Sequence, residues 1–153
     1  MMAWMVAIDR WGQRLTTYAI PLLLLATRLW VADVFFRAGL VKIDSWSSTL
    51  YLFEYEYQVP VLPPVTAAYV GTVVELVAPV ILALGLMSRP TALFMFVYNA
   101  MAVISYPTLW EGGFYDHQLW GLMLLINLIW GGGALSLDRL VAYRWQTIRS
   151  RPG

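Results

Sequence analysis

Four charged side chains, Arg28, Asp33, Arg37 and Lys42, interrupt one apolar stretch of this chain, and a single glutamate, Glu75, interrupts another. Charge at bilayer depth is expensive, so such residues are by default candidates for a functional site. They can hold a polar ligand, relay a proton or pair with one another. A lone Asn99 in a third apolar stretch adds an uncharged hydrogen-bonding group. His117, the single histidine, stands near Glu111 and Asp116. One imidazole with two carboxylates is a weak metal-ligand pattern, and an exposed loop histidine is the plainer reading.

The background is that of a membrane protein. The chain has 153 residues, of which 60% are hydrophobic and only 12% charged. Soluble domains carry about a quarter charged residues, so the shortfall and the long apolar runs assign the chain to the membrane class. A net charge of +1 provides no field for nucleic acid. Cysteine is absent, so any reacting sulfur in thiol or sulfur chemistry would belong to a partner or cofactor. The P-loop, GxSxG, HExxH and GxGxxG motifs are absent too.

The elements that must position the charges follow from hydropathy. The fold class expected is all-α, a single polytopic domain with a bundle of four transmembrane helices and short interfacial helices. Spans are expected over about 17–42, 64–87, 90–106 and 118–137, each near the ~20 residues that cross the hydrocarbon layer. Trp4, Ile8, Trp11 and Leu15 recur at helical spacing and suit a short helix in the headgroup region. Trp46, Leu50, Phe53 and Tyr57 repeat the pattern, so a second interfacial helix is expected over about 44–57, capped near Asp44 or Ser45. Pro60, Pro63 and Pro64 end it. A basic tail covers 138–153. Arg28 follows the apolar run 19–27 where a cleavage site would need small residues, so the first segment is expected to be retained.

Orientation comes from the cations. Arg10, Arg14, Arg89, Arg139, Arg144, Arg149 and Arg151 lie at the termini and the 88–89 turn; the other two loops carry only Lys42 among acids. The positive-inside rule then expects a multi-pass protein of a bacterial-type inner membrane with both termini cytoplasmic. Counted down from the outer ends, Arg28 and Glu75 lie at roughly 21 and 17 Å depth, and Asn99 near the midplane. The expected arrangement is therefore an Arg28–Glu75 ion pair with Lys42 and Asn99 nearby, framing a polar intramembrane pocket that opens outward. An ion pair that merely locks two helices is the alternative. At 100° per residue Gly39 shares the face of Arg28 and Lys42. Asp33 and Arg37, four apart on nearly the opposite face, are expected to pair with each other, for packing or for contact with another subunit. Ala68, Gly71, Ala78, Pro79 and Leu82 share the face of Glu75 and allow close helix approach.

Taken in order, Arg28, then Phe36-Arg37-Ala38-Gly39-Leu40-Val41-Lys42, Val61-Leu62-Pro63-Pro64, Glu75, Gly85-Leu86-Met87-Ser88-Arg89 and Gly133-Ala134-Leu135-Ser136-Leu137-Asp138 resemble the DoxX family of small four-helix membrane proteins. The resemblance covers about 25 to 140. It implies that Arg28, Gly39, Lys42, Glu75 and Arg89 fall on the family's characteristic polar and glycine positions. The family is named for a subunit of a thiosulfate:quinone oxidoreductase, and other members are associated with thiol-oxidative and metal stress. Two function classes follow. One is an accessory subunit of a quinone- or thiol/sulfur-linked redox system, in which Arg28, Lys42 and Glu75 line a site for a quinone headgroup or small sulfur species. Its partners would be the bilayer and a redox protein or a second copy of the chain. The other is a non-enzymatic anchor, assembly factor or small-solute carrier in a stress pathway.

Overall fold

The computed structural model describes residues 2–149, with side chains described from Arg10 onward except Ile148. Trp4, Ile8 and Arg151 therefore lie outside the described side chains. All regular elements among the described residues are helices: α1 (Met2–Asp44), α2 (Trp46–Tyr55), α3 (Pro64–Leu84), α4 (Ser88–Ser105), α5 (Thr108–Glu111), α6 (Tyr115–Trp130) and α7 (Leu137–Arg149).

Three stretches depart most from those expected. The N-terminal stretch is not a separate interfacial helix: α1 continues through it without a break, past Pro21. At 1.5 Å per residue its 43 residues extend about 65 Å, twice the ~30 Å hydrocarbon thickness. Trp11 and Leu15 are exposed along that extension. Helix α6 starts early, at Tyr115, and stops at Trp130, because Gly131 takes a positive φ of 74° and breaks the helix. The basic stretch after Leu137 is a helix, α7, with its residues from Arg139 to Thr147 exposed.

Helices α1 and α3 are long and apolar enough to cross a membrane. Helices α4 and α6, with 18 and 16 residues, are shorter, about 27 and 24 Å. The four pack as a ring in the order α1, α3, α4, α6, with α6 closing back on α1. Val31, Phe35, Ala78, Leu82, Ala92, Met95 and Leu124 form the core. Ala68, Gly71, Glu75, Ala78, Pro79 and Leu82 are all buried on α3, so its small-residue face does point inward. Gly39 meets that face: a Cβ there would lie 2.9 Å from Leu76 and 3.1 Å from Cβ of Glu75. The opposite side of α3 exposes Val73, Val77, Val80 and Leu84. Such a continuous apolar exterior suits a lipid surround rather than water.

Helix α2 covers the end of the bundle at which α1 stops and α3 begins. Its stripe turns toward α3, where Phe53, Ala67 and Ala68 are buried with Trp46, Leu50 and Tyr57 packed around them. Trp46 also stacks on Tyr69, with centroids 4.6 Å apart. Part of the pattern expected to face headgroups therefore faces protein.

Candidate functional site: an apolar cavity with a charged end

The expected Arg28–Glu75 pair does not form. Arg28 is fully buried, and its Nη2 donates to the carbonyl of Leu135 at 2.6 Å. The guanidinium lies against Gly85, whose added Cβ would overlap Nη1. Gly85 is ten positions after Glu75, about 15 Å further along α3. Helix register accounts for most of the separation: Gly39, which packs on Glu75, is eleven residues after Arg28, about 16 Å along α1, and side-chain direction adds to it. Every Cβ on a helix leans toward its N-terminus, and α1 and α3 run in opposite directions. Arg28 on α1 therefore reaches toward one end of the bundle, while Glu75 on α3 reaches toward the other. Lys42, near the C-terminal end of α1, leans back toward Glu75, and the two meet: Nζ to Oε2 is 2.6 Å.

The Arg28 end is a packing centre. Asp138 accepts hydrogen bonds of 2.7 Å each from Met87 N–H, Ser88 N–H and Ser88 Oγ, which closes the N-terminus of α4. Its own N–H donates to Gly85 O at 3.0 Å. Burial pushes the Asp138 carboxyl up, but those three hydrogen bonds and the Arg28 charge outweigh it and hold the group below the usual carboxylate range. A depressed folded value makes this contribution to stability complete above the unfolded value of about 3.9. It is lost as pH falls through the folded value. Melting curves in detergent should therefore show Asp138→Ala less stable by about 1–2 kcal/mol near neutral pH, with the gap closing in acid. An unchanged gap in acid would exclude this role.

Asn127, which the sequence reading passed over, joins α6 to α1 nearby. Its Nδ2 donates to Thr27 Oγ1 at 2.9 Å and to Met123 O at 2.9 Å. The available signal was a lone amide in an apolar run, the usual mark of interhelical hydrogen bonding. Arg89 donates to Ile129 O at 3.2 Å, at the carbonyl end of α6, where a cation is favoured.

The Glu75 end borders a cavity of about 490 Å³, within the usual range for small-molecule sites. Its walls are mostly apolar and aromatic, with Phe35, Phe53, Tyr57 and Trp120 among them. The polar groups converge at one side. Tyr98 OH donates to Glu75 Oε1 at 2.9 Å and lies 3.3 Å from Gly71 O; a Cβ at Gly71 would press on that hydroxyl at 3.3 Å. Phe35 holds the Tyr98 ring edge-on at 6.1 Å. Glu75 is thus a carboxylate with one cation and one hydroxyl donor, while its own side chain is only 8% exposed. Sequence reasoning missed Tyr98, since a tyrosine in an apolar run reads as packing.

Asn99 is bonded to His117 and not to Glu75. It bonds His117 twice, Nδ2 to the backbone carbonyl at 2.9 Å and Oδ1 to Nδ1 at 2.8 Å. With Oδ1 accepting, Nδ1 carries the hydrogen and Nε2 is the acceptor nitrogen. His117 sits in the first turn of α6, half-buried against Trp120 at 4.7 Å and in the cavity wall, rather than in an open loop. Among the described residues no three His, Cys, Asp or Glu side chains are grouped to hold a metal ion. Asp33 and Arg37 pair on the outside of the bundle at 2.8 Å, with side chains 59% and 74% exposed. A second cavity of about 260 Å³ lies beyond Lys42, lined by Ser45, Ser48 and Thr49. Ala38, Lys42, Phe53 and Tyr57 border both spaces.

Comparison with known proteins identifies a relative and a family. "Inner membrane protein YphA" of Escherichia coli (strain K12) is 30% identical over 132 residues, which cover 79% of this chain and 91% of that protein. No solved structure matches. The DoxX family profile matches residues 23–107, more than half of the chain, including Arg28, Gly39, Lys42, Glu75 and Arg89. The chain belongs to the DoxX family.

Proposed function

We propose that this DoxX protein is a four-span inner-membrane accessory subunit of a redox system, and that its cavity holds a quinone-type headgroup against Lys42, Glu75 and Tyr98. The observation that carries the reading is a hydrogen-bonded ammonium, carboxylate and phenol at one side of an otherwise apolar, aromatic cavity. A quinone presents a flat apolar ring, which suits aromatic walls, and carbonyl oxygens, which need donors. Lys42 has N–H donors beyond the one given to Glu75, Tyr98 O–H holds the carboxylate in place, and Glu75 can exchange a proton with the reduced ring's hydroxyls. Electrons would come from a partner protein. In this orientation both termini are cytoplasmic, in keeping with the arginines at 10, 14, 89, 139, 144 and 149, and the Lys42–Glu75 end lies toward the outer surface.

The alternative, a non-enzymatic anchor, assembly factor or small-solute carrier, draws on the exposed Asp33–Arg37 pair. An ion pair outside the bundle at span depth suits a contact with a redox partner or a second copy of the chain better than it suits lipid.

Titration of the purified protein with a short-chain ubiquinone analogue separates the readings. Saturable binding is expected, weakened about tenfold or more in Lys42→Ala and in Tyr98→Phe, the loss set by one charged or neutral hydrogen bond. Arg37→Ala should bind as wild type does. Absence of binding, or equal binding by all four proteins, would refute the quinone site and leave the non-enzymatic reading.

A further inference from the structure

We infer that the cavity is entered from within the bilayer, through a gap between α3 and α4, and that its ligand is an amphiphile with a polar head and an apolar tail. The inference rests on the membrane-spanning arrangement proposed above and names the route and the ligand class.

The mouth is located by exposure. Most cavity-lining side chains on α1 and α6 face inward: Phe35 is buried, and Val34, Ala38 and Trp120 are only partly exposed. The lining residues that also open to the outside are on α3 and α4 or the turn before α3. Val70 is 46% exposed, Phe94 51% and Val97 55%, and Leu62 and Met101 are open too. A side chain that lines a cavity and is half exposed stands at its rim. The α3–α4 seam is also the most loosely packed of the four in the ring.

The rim has one chemistry. Val70, Phe94, Val97 and Met101 carry no hydrogen-bonding side-chain group beyond a thioether, and their neighbours Val73 and Leu93 continue the apolar surface. A hydrated solute gains nothing at such an opening, whereas an alkyl or isoprenoid chain crosses from lipid to cavity at little cost, because both sides are apolar. Inside, the Lys42–Glu75–Tyr98 group offers charge and donors to a head. An apolar rim and a charged far wall match a molecule built the same way.

The chain contains no cysteine, so one introduced thiol reports access cleanly. Ser105 is buried in the cavity wall and nearly isosteric with cysteine; Ala102, also in the wall, serves as a second position. In membrane vesicles, Ser105→Cys is expected to react with a lipid-soluble maleimide and to resist a membrane-impermeant anionic one. Adding Val70→Phe and Val97→Phe should slow the lipid-soluble reaction several-fold, and Ala102→Cys should behave in the same way. Labelling by the impermeant reagent at the same rate, indifference to the two phenylalanines, or no labelling at either position in folded protein would each overturn lateral entry. A quinone analogue added before the maleimide separates this from the proposed function. Labelling that depends on the mouth but is not protected by the analogue leaves the route standing and removes the quinone.

Discussion

Gly85→Ala is expected to remove most folded protein, the largest effect of any single methyl added to this chain. Two costs coincide. Gly85 has a φ of +66°, and a non-glycine residue held in the left-handed region costs about 1–3 kcal/mol. The new Cβ would also overlap Arg28 Nη1 and stand 2.6 Å from Ser136 Cβ; overpacking of this kind costs a further 1–3 kcal/mol or so. Arg28 has little room to retreat, being fully buried with Nη2 bonded to Leu135. Together these come to about 2–6 kcal/mol, which reaches the lower end of the stability of a small domain, about 5–15 kcal/mol. Gly12→Ala is the control, since nothing lies within 4 Å of its added Cβ; mid-helix alanine there should be neutral or slightly stabilising. The monodisperse fraction after detergent extraction measures both. Equal yields would mean that Arg28 and the 85–88 turn are not the packing centre described.

The second large effect belongs to the ion pair. Lys42→Met leaves a carboxylate that is 8% exposed without its cation, a loss of roughly 3–5 kcal/mol for breaking a buried pair from one side. The double variant Lys42→Met with Glu75→Gln should recover most of it. The introduced amide would carry no charge and could still accept from Tyr98, whose hydroxyl lies 2.9 Å from Glu75 Oε1 in the native site. A double-mutant cycle on thermal or denaturant stability reads the coupling. Additive losses would show that the two residues do not act as a pair. The double variant also separates fold from function, because it should remain folded while binding the headgroup poorly.

These two predictions concern opposite ends of the bundle, and the division was not legible in the sequence. Helical phase read there correctly assigned Glu75 to the inward face of α3 with Gly71, Ala78 and Leu82. It also identified the Asp33–Arg37 pair. Both follow from spacing along one helix, which 3.6 residues per turn specifies locally. The partner of Glu75 is a relation between helices. Counting residues from the membrane surface put Arg28 and Glu75 at similar depths, but the count set the ends of the two helices level, whereas the packing sets Gly39 beside Glu75 and Arg28 beside Gly85.

By itself, then, the sequence determined the all-helical class, the membrane environment, the inward faces and the family, because hydropathy, period and motif order are properties of the chain alone. The tertiary structure decided what the charges do. The register of α1 against α3 sets Glu75 beside Gly39 and within reach of Lys42, and leaves Arg28 beside Gly85. Asp138, distant in sequence, comes back to close the start of α4. Tyr98 and His117 line one cavity, with Asn99 holding His117, only because α4 and α6 lie side by side. The cavity is a space between helices, and no stretch of residues encodes a space until its walls are packed.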